Sequence, residues 1–92
     1  MPSTQVFYEG HVQGVGFRYT VKQIAKGFDV IGWVRNLSDG RVELQASAEP
    51  AELAAFLEAI TQSELRAHIK NQTTYPLADA PAARGGFEIR HD

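Results

Sequence analysis

Apolar and polar positions change period several times along the 92 residues, and each change marks an element boundary. Val6, Phe7, Tyr8 and Val12 lie among few turn formers and predict a strand over 4–12. After a glycine-rich stretch, Phe17, Val21, Ile24, Ala25 and Phe28 recur at helical spacing. With Lys22 and Lys26 in the later turns and Gly27 suited to the C-terminal cap, residues 17–27 read as an amphipathic helix. Val30 to Val34 is a short apolar run, expected to be a strand buried on much of both faces. The turn cluster Arg35-Asn36-Leu37-Ser38-Asp39-Gly40 then leads into Arg41-Val42-Glu43-Leu44-Gln45-Ala46, which alternates like a strand with one buried face. So short a connection makes the two strands a hairpin. Pro50 opens a second helix, striped by Leu53, Phe56, Leu57 and Ile60. A weaker strand is expected around 66–74, a loop over 75–86, and a short closing strand from Phe87 to Arg90.

The order βαββαβ plus a terminal strand predicts an α+β, ferredoxin-like split-βαβ sandwich. Its antiparallel sheet carries two helices on one face, with a short C-terminal strand added. Right-handed crossovers put the third strand between the first and second. The first two strands are joined by a crossover helix, so they run parallel and end at the same edge of the sheet. The glycine loop leaves one of them and Asn36 the other, roughly 10 Å apart at backbone level. Arg18 and Asn36 are therefore expected to converge.

That loop reads Gly-His-Val-Gln-Gly-Val-Gly-Phe-Arg over residues 10–18 and is the densest chemistry in the chain. Glycine permits positive φ and lets amides approach a ligand that a Cβ would hold off. Successive N–H groups before a helix form an anion-binding concavity, to which the helix N-terminus adds partial positive charge. The expected phosphate-binding set is the amides of Gln13, Gly14, Val15, Gly16, Phe17 and Arg18, with the Arg18 guanidinium supplying a permanent charge. Positive charge at a helix start is otherwise mildly unfavourable, so its placement there hints at an anion. The dinucleotide fingerprint fails because Tyr19 stands where its third glycine belongs, and no Gly-Lys-Ser/Thr follows the loop.

Length and composition narrow the picture. The chain suits a single domain over residues 1–92, with 43% hydrophobic and 22% charged residues. Without cysteine there is no disulfide, thiolate ligand or thiol nucleophile. No apolar run reaches the ~18 residues that span a bilayer, so no membrane partner is expected. The opening Met-Pro-Ser-Thr-Gln lacks signal-peptide features, which makes cytoplasmic residence the expectation. The size allows a monomer. A net charge of −2 argues against nucleic acid, and a substrate that is anionic should then be small.

The candidate site thus holds amides, one guanidinium and the Asn36 carboxamide. None is a good general base or nucleophile. Such a set can hold a phosphoryl group, neutralise its charge and orient water, which suffices when the leaving group needs no protonation. That points to an activated phosphate such as an acyl phosphate. No cofactor and no metal are expected, since His11, His68 and His91 have no ligand spacing. His11 is the one tempting base, but strand-end alternation is expected to turn it away. Arg35 reads as a strand-end surface charge near the site rim, and Glu43 as a paired or solvated group. Tyr8, Phe17, Phe28 and Trp33 read as core or sheet-face packing.

Residues 10–18 and 27–43, the latter reading GFDVIGWVRNLSDGRVE, closely resemble the two signature stretches of the acylphosphatases. Gly-Phe-Glu-Ile-Arg at 86–90 resembles their C-terminal strand, and the length fits the family domain. The resemblance implies metal-independent hydrolysis of an acyl phosphate to a carboxylate and inorganic phosphate, the latter also an inhibitor. It implies that Arg18 and the loop amides bind the phosphate and that Asn36 orients the attacking water, whose proton passes to the substrate's own phosphate. Similar domains occur as modules in larger carbamoyl-phosphate-using maturation proteins. The alternative is a non-catalytic ferredoxin-like module binding a phosphorylated small molecule or RNA. RNA-recognition domains share the element order, and GVGFRY echoes their aromatic signature, but the echo falls in a loop instead of a central strand.

Overall fold

The computed structural model describes residues 1–83 and 85–91. Strands β1 (Ser3–Gly10), β2 (Ile31–Asn36), β3 (Val42–Ser47), β4 (Ile69–Leu77) and β5 (Phe87–Arg90) form one sheet in the order β4-β1-β3-β2-β5. Helices α1 (Phe17–Ala25) and α2 (Pro50–Gln62) supply the crossovers, and a 3-10 helix, Glu64–His68, leads into β4. The third strand lies between the first two, as the topology requires. β5 is the departure from an antiparallel sheet: it pairs with β2 in parallel, so the sheet is mixed.

Alternation sorts the strand residues. Val6, Tyr8, Val34, Val42, Leu44 and Ala46 face the helices and pack with Phe17, Val21, Leu53, Phe56 and Ile60 in the core. The Tyr8 ring packs 5.0 Å from that of Phe17, which seats the start of α1 on β1. Burial pushes the Tyr8 hydroxyl pKa upward, and that hydroxyl finds no partner among the described residues. Phe28 and Phe87 both pack edge-on against Phe56. Trp33 lies outside this core, on the helix-free face, with the guanidiniums of Arg35 and Arg90 at 5.0 and 5.1 Å from its ring.

Glu43 organises that helix-free face. It accepts from Gln5 at 2.7 Å, Gln45 at 3.1 Å and Arg35 Nε at 2.9 Å. Burial alone would push its carboxyl upward, but the amides of Gln5 and Gln45 and the Arg35 guanidinium outweigh it and hold the pKa below the usual carboxylate range. A carboxyl with a lowered folded pKa stabilises the fold fully above its unfolded value of about 4.3, and loses that contribution as pH falls through the lower folded value. Glu43→Gln is therefore expected to cost about 1–2 kcal/mol at neutral pH and to flatten the acid limb of stability below about pH 5. Thermal melts of both proteins from pH 7 to pH 3 test this, and parallel curves would contradict it.

Several boundaries differ from the sequence expectation: β1 ends at Gly10 instead of residue 12, β2 runs on through Asn36 instead of ending at Val34, and β4 and α1 differ as well. β4 starts after the 3-10 helix and runs on to Leu77, past Tyr75 and Pro76. It is an edge strand, where a residue without an N–H is tolerated. α1 ends at Ala25 with Lys26 as cap, and Gly27 is not left-handed: its amide donates to the Ile24 carbonyl at 3.0 Å. No helix among the described residues is long and apolar enough to cross a membrane.

Candidate active site

β1 and β2 both pair antiparallel with β3 and therefore run parallel, ending at one edge of the sheet. The loop after β1 climbs from Gly10 to the start of α1. Its backbone needs two left-handed turns, met by Gly14 at φ 80° and Gly16 at φ 77°. A Cβ at either would meet nothing within 4 Å, so conformation and not crowding demands glycine there. Gly16 is the N-cap of α1 and offers no side-chain oxygen, and no acidic residue lies in the first turn. Among the described residues no carbonyl accepts from the amides of residues 14–19. The helix start is thus a cluster of uncapped donors.

These donors border a cleft of about 190 Å³ lined by Gly14, Gly16, Phe17, Arg18 and Asn36, among others. Arg18 and Asn36 do converge, as the strand order predicted. Gln13 and Val15 turn their side chains elsewhere. Val15 packs against the core. The Gln13 carboxamide donates both of its protons to the β2–β3 hairpin, to the Leu37 carbonyl at 2.8 Å and the Arg41 carbonyl at 2.9 Å. Leu37 also donates to the Arg41 carbonyl at 2.8 Å and accepts from Gly40, so Gln13 grips an already closed turn. Asp39 accepts from the Arg41 amide and guanidinium, which hold its carboxyl below the usual range. Gln13 therefore ties the glycine loop to the hairpin that carries Asn36.

Other polar residues lie outside the cleft. His11 donates its amide to the His68 carbonyl, and the two rings share a separate groove beside Lys70. Arg35, expected near the rim, instead points across the helix-free face to Glu43. Among the described residues, no group of three or more His, Cys, Asp or Glu side chains could hold a metal ion. The structure adds lining residues that the sequence reading did not place: Val12, Tyr19, Ile89 and His91. Residues 89 and 91 could have been found by setting β5 parallel to β2, since Arg35 pairs with Arg90 and the next residue stands level with Asn36.

The family model for acylphosphatase matches residues 4–89. An acylphosphatase of Lacticaseibacillus paracasei is 40% identical over 86 residues, covering 92% of this chain and 91% of that protein. Among solved structures, an acylphosphatase from Bacillus subtilis superposes with a TM-score of 0.85 at 31% identity, covering 98% of this chain and 99% of that one. The HypF structure from T. kodakarensis superposes with a TM-score of 0.82 at 27% identity, but this chain spans only 12% of it. The likeness thus extends both to proteins of this length and to a segment of a longer one. By the family match and by relatives alike over nearly their whole length, the chain belongs to the acylphosphatase family, hydrolases that act on acid anhydrides.

Proposed function

We propose that the protein hydrolyses a small acyl phosphate in this cleft, with the glycine loop and Arg18 as the phosphate site and Asn36 as the water-orienting group. The observation that carries this reading is the row of unpartnered amides over residues 14–19 opening on the cleft shared by Arg18 and Asn36. The donors match a tetrahedral anion, and the guanidinium adds a charge that survives at any working pH. Asn36 presents a carboxamide that accepts from a water while its amino group donates to the substrate. Water attacks phosphorus, the bond from phosphorus to the acyl oxygen breaks, and its electron pair leaves on the carboxylate. The attacking water gives one proton to a phosphoryl oxygen, so the products are a carboxylate and dihydrogen phosphate. No protein base is required, because the leaving carboxylate is weakly basic and the phosphate takes the proton.

A monomer and cytoplasmic residence remain readings of the sequence. The single domain over residues 1–92 belongs to the same reading. Nucleic acid fits less well. The sheet face that an RNA-recognition domain exposes is here occupied by the Arg35–Glu43 pair and by guanidiniums stacked on Trp33.

Inorganic phosphate titrated into labelled protein is expected to move the amide resonances of residues 14–19 and to inhibit turnover competitively. Shifts confined to the His11–His68 groove or to the helix-free face would overturn the assignment of the cradle.

A further inference from the structure

A third strand end joins the site. β5 runs parallel to β1 and β2 and stops at the same edge, so the residue after Arg90 arrives beside the cleft. Nη1 of Arg18 lies 3.3 Å from Nδ1 of His91 and 3.4 Å from the carbonyl oxygen of Arg90. A guanidinium can only donate, so the contact requires the His91 tautomer in which Nδ1 accepts and Nε2 carries the proton. In that tautomer both acceptors are neutral. A carboxylate in their place would hold the arginine more tightly but would cancel the charge that a phosphate needs. A carbonyl and an imidazole orient the guanidinium, and among the described residues no carboxylate pairs with it.

We propose that His91 is a positioning residue for Arg18: with the Arg90 carbonyl it fastens Nη1 to the end of β5 and leaves the other guanidinium N–H groups free for phosphate. The proposal rests on the reading of Arg18 as the phosphate anchor. Arginine has a long, rotamer-rich side chain, and fixing it before the ligand arrives removes an ordering cost from the binding step. The arrangement also explains why the terminal strand, which pairs with only one neighbour, ends at the cleft. The end of β5 carries the tether for a residue in the first turn of a helix, 72 positions before Arg90 in the chain.

Two substitutions separate tethering from packing. His91→Leu removes the acceptor, whereas His91→Asn places a carboxamide oxygen near the position of Nδ1. His91 is exposed, so neither is expected to shift the melting temperature. His91→Leu should raise the inhibition constant of inorganic phosphate and KM for benzoyl phosphate roughly five- to tenfold, and His91→Asn should restore both to within about twofold. Neither constant depends on the fraction of protein that is folded, so a loss of stability would not imitate the result. An unchanged phosphate constant in His91→Leu, or His91→Asn as poor as His91→Leu, would overturn the proposal. Arg18→Ala measured alongside keeps the two ideas apart. If it abolishes phosphate inhibition while His91→Leu is silent, the tether alone fails. If Arg18→Ala is itself silent, the anchor fails, and the tether with it.

Discussion

Arg18→Ala is expected to lower kcat/KM for an acyl phosphate by roughly 10²–10³-fold, a loss of ~3–4 kcal/mol of transition-state stabilisation. It should also abolish measurable inhibition by phosphate. The size of the effect follows from what the cleft contains. Charge builds on the equatorial phosphoryl oxygens and the leaving oxygen as the bond breaks, and Arg18 is the cation lining the cleft. The amides of residues 14–19 survive the substitution and would still hold a phosphate weakly, so residual turnover is expected. Arg18→Lys should recover only part of the loss. A compact ammonium restores charge but not the planar fork or the contacts to His91 and the Arg90 carbonyl. Steady-state kinetics on the three proteins tests this. A variant lacking Arg18 with KM and kcat near the parent's would remove the guanidinium from the mechanism.

Asn36→Ala is expected to act on a different constant. Its kcat should fall by roughly 10²-fold, the cost of losing orientation of one reactant, while the phosphate inhibition constant stays within about threefold. Asn36 ends β2 on the far side of the cleft from the glycine loop, and its loss removes none of the loop's donors. Asn36→Asp would keep the shape but place a carboxylate against the phosphoryl group, and should be worse than alanine for KM. A fall in phosphate affinity without a fall in kcat would make Asn36 a binding residue and not a water-orienting one.

Much of this site was legible because it depends on topology, which residue periodicity dictates. The helical spacing of Phe17, Val21 and Ala25 required a crossover, the crossover made β1 and β2 parallel, and parallel strands bring the glycine loop and Asn36 to one edge. Gly14 and Gly16 were readable as left-handed positions for the same local reason. What escaped depended on partners that local sequence does not name. β5 is a four-residue strand whose sequence carries no signal for its neighbour, so neither its parallel pairing with β2 nor the arrival of His91 at the cleft is legible locally. β4 is blurred because all nine of its residues are exposed or half-exposed and show no alternation, and because Pro76 reads as a loop signal until the strand is known to be an edge.

Gln13 illustrates the same divide at one residue. The motif placed its amide near the phosphate. Its side chain, however, answers to the carbonyls of Leu37 and Arg41, which lie 24 and 28 residues away and exist as a pair only once the hairpin has closed. Arg35 was drawn toward the site by its sequence position beside Asn36. In the strand, neighbours point to opposite faces, and Glu43, its direct partner across β2 and β3, claims it.

The central claim is that a cleft of amides, one guanidinium and one carboxamide is sufficient to cleave an activated phosphate. Its most direct test is the release of phosphate from benzoyl phosphate by the purified protein in the presence of a chelator such as EDTA. The account predicts saturable hydrolysis unaffected by the chelator, competitively inhibited by inorganic phosphate. Phosphate release no faster than the spontaneous rate, or activity that disappears with EDTA and returns with a divalent metal, would contradict it.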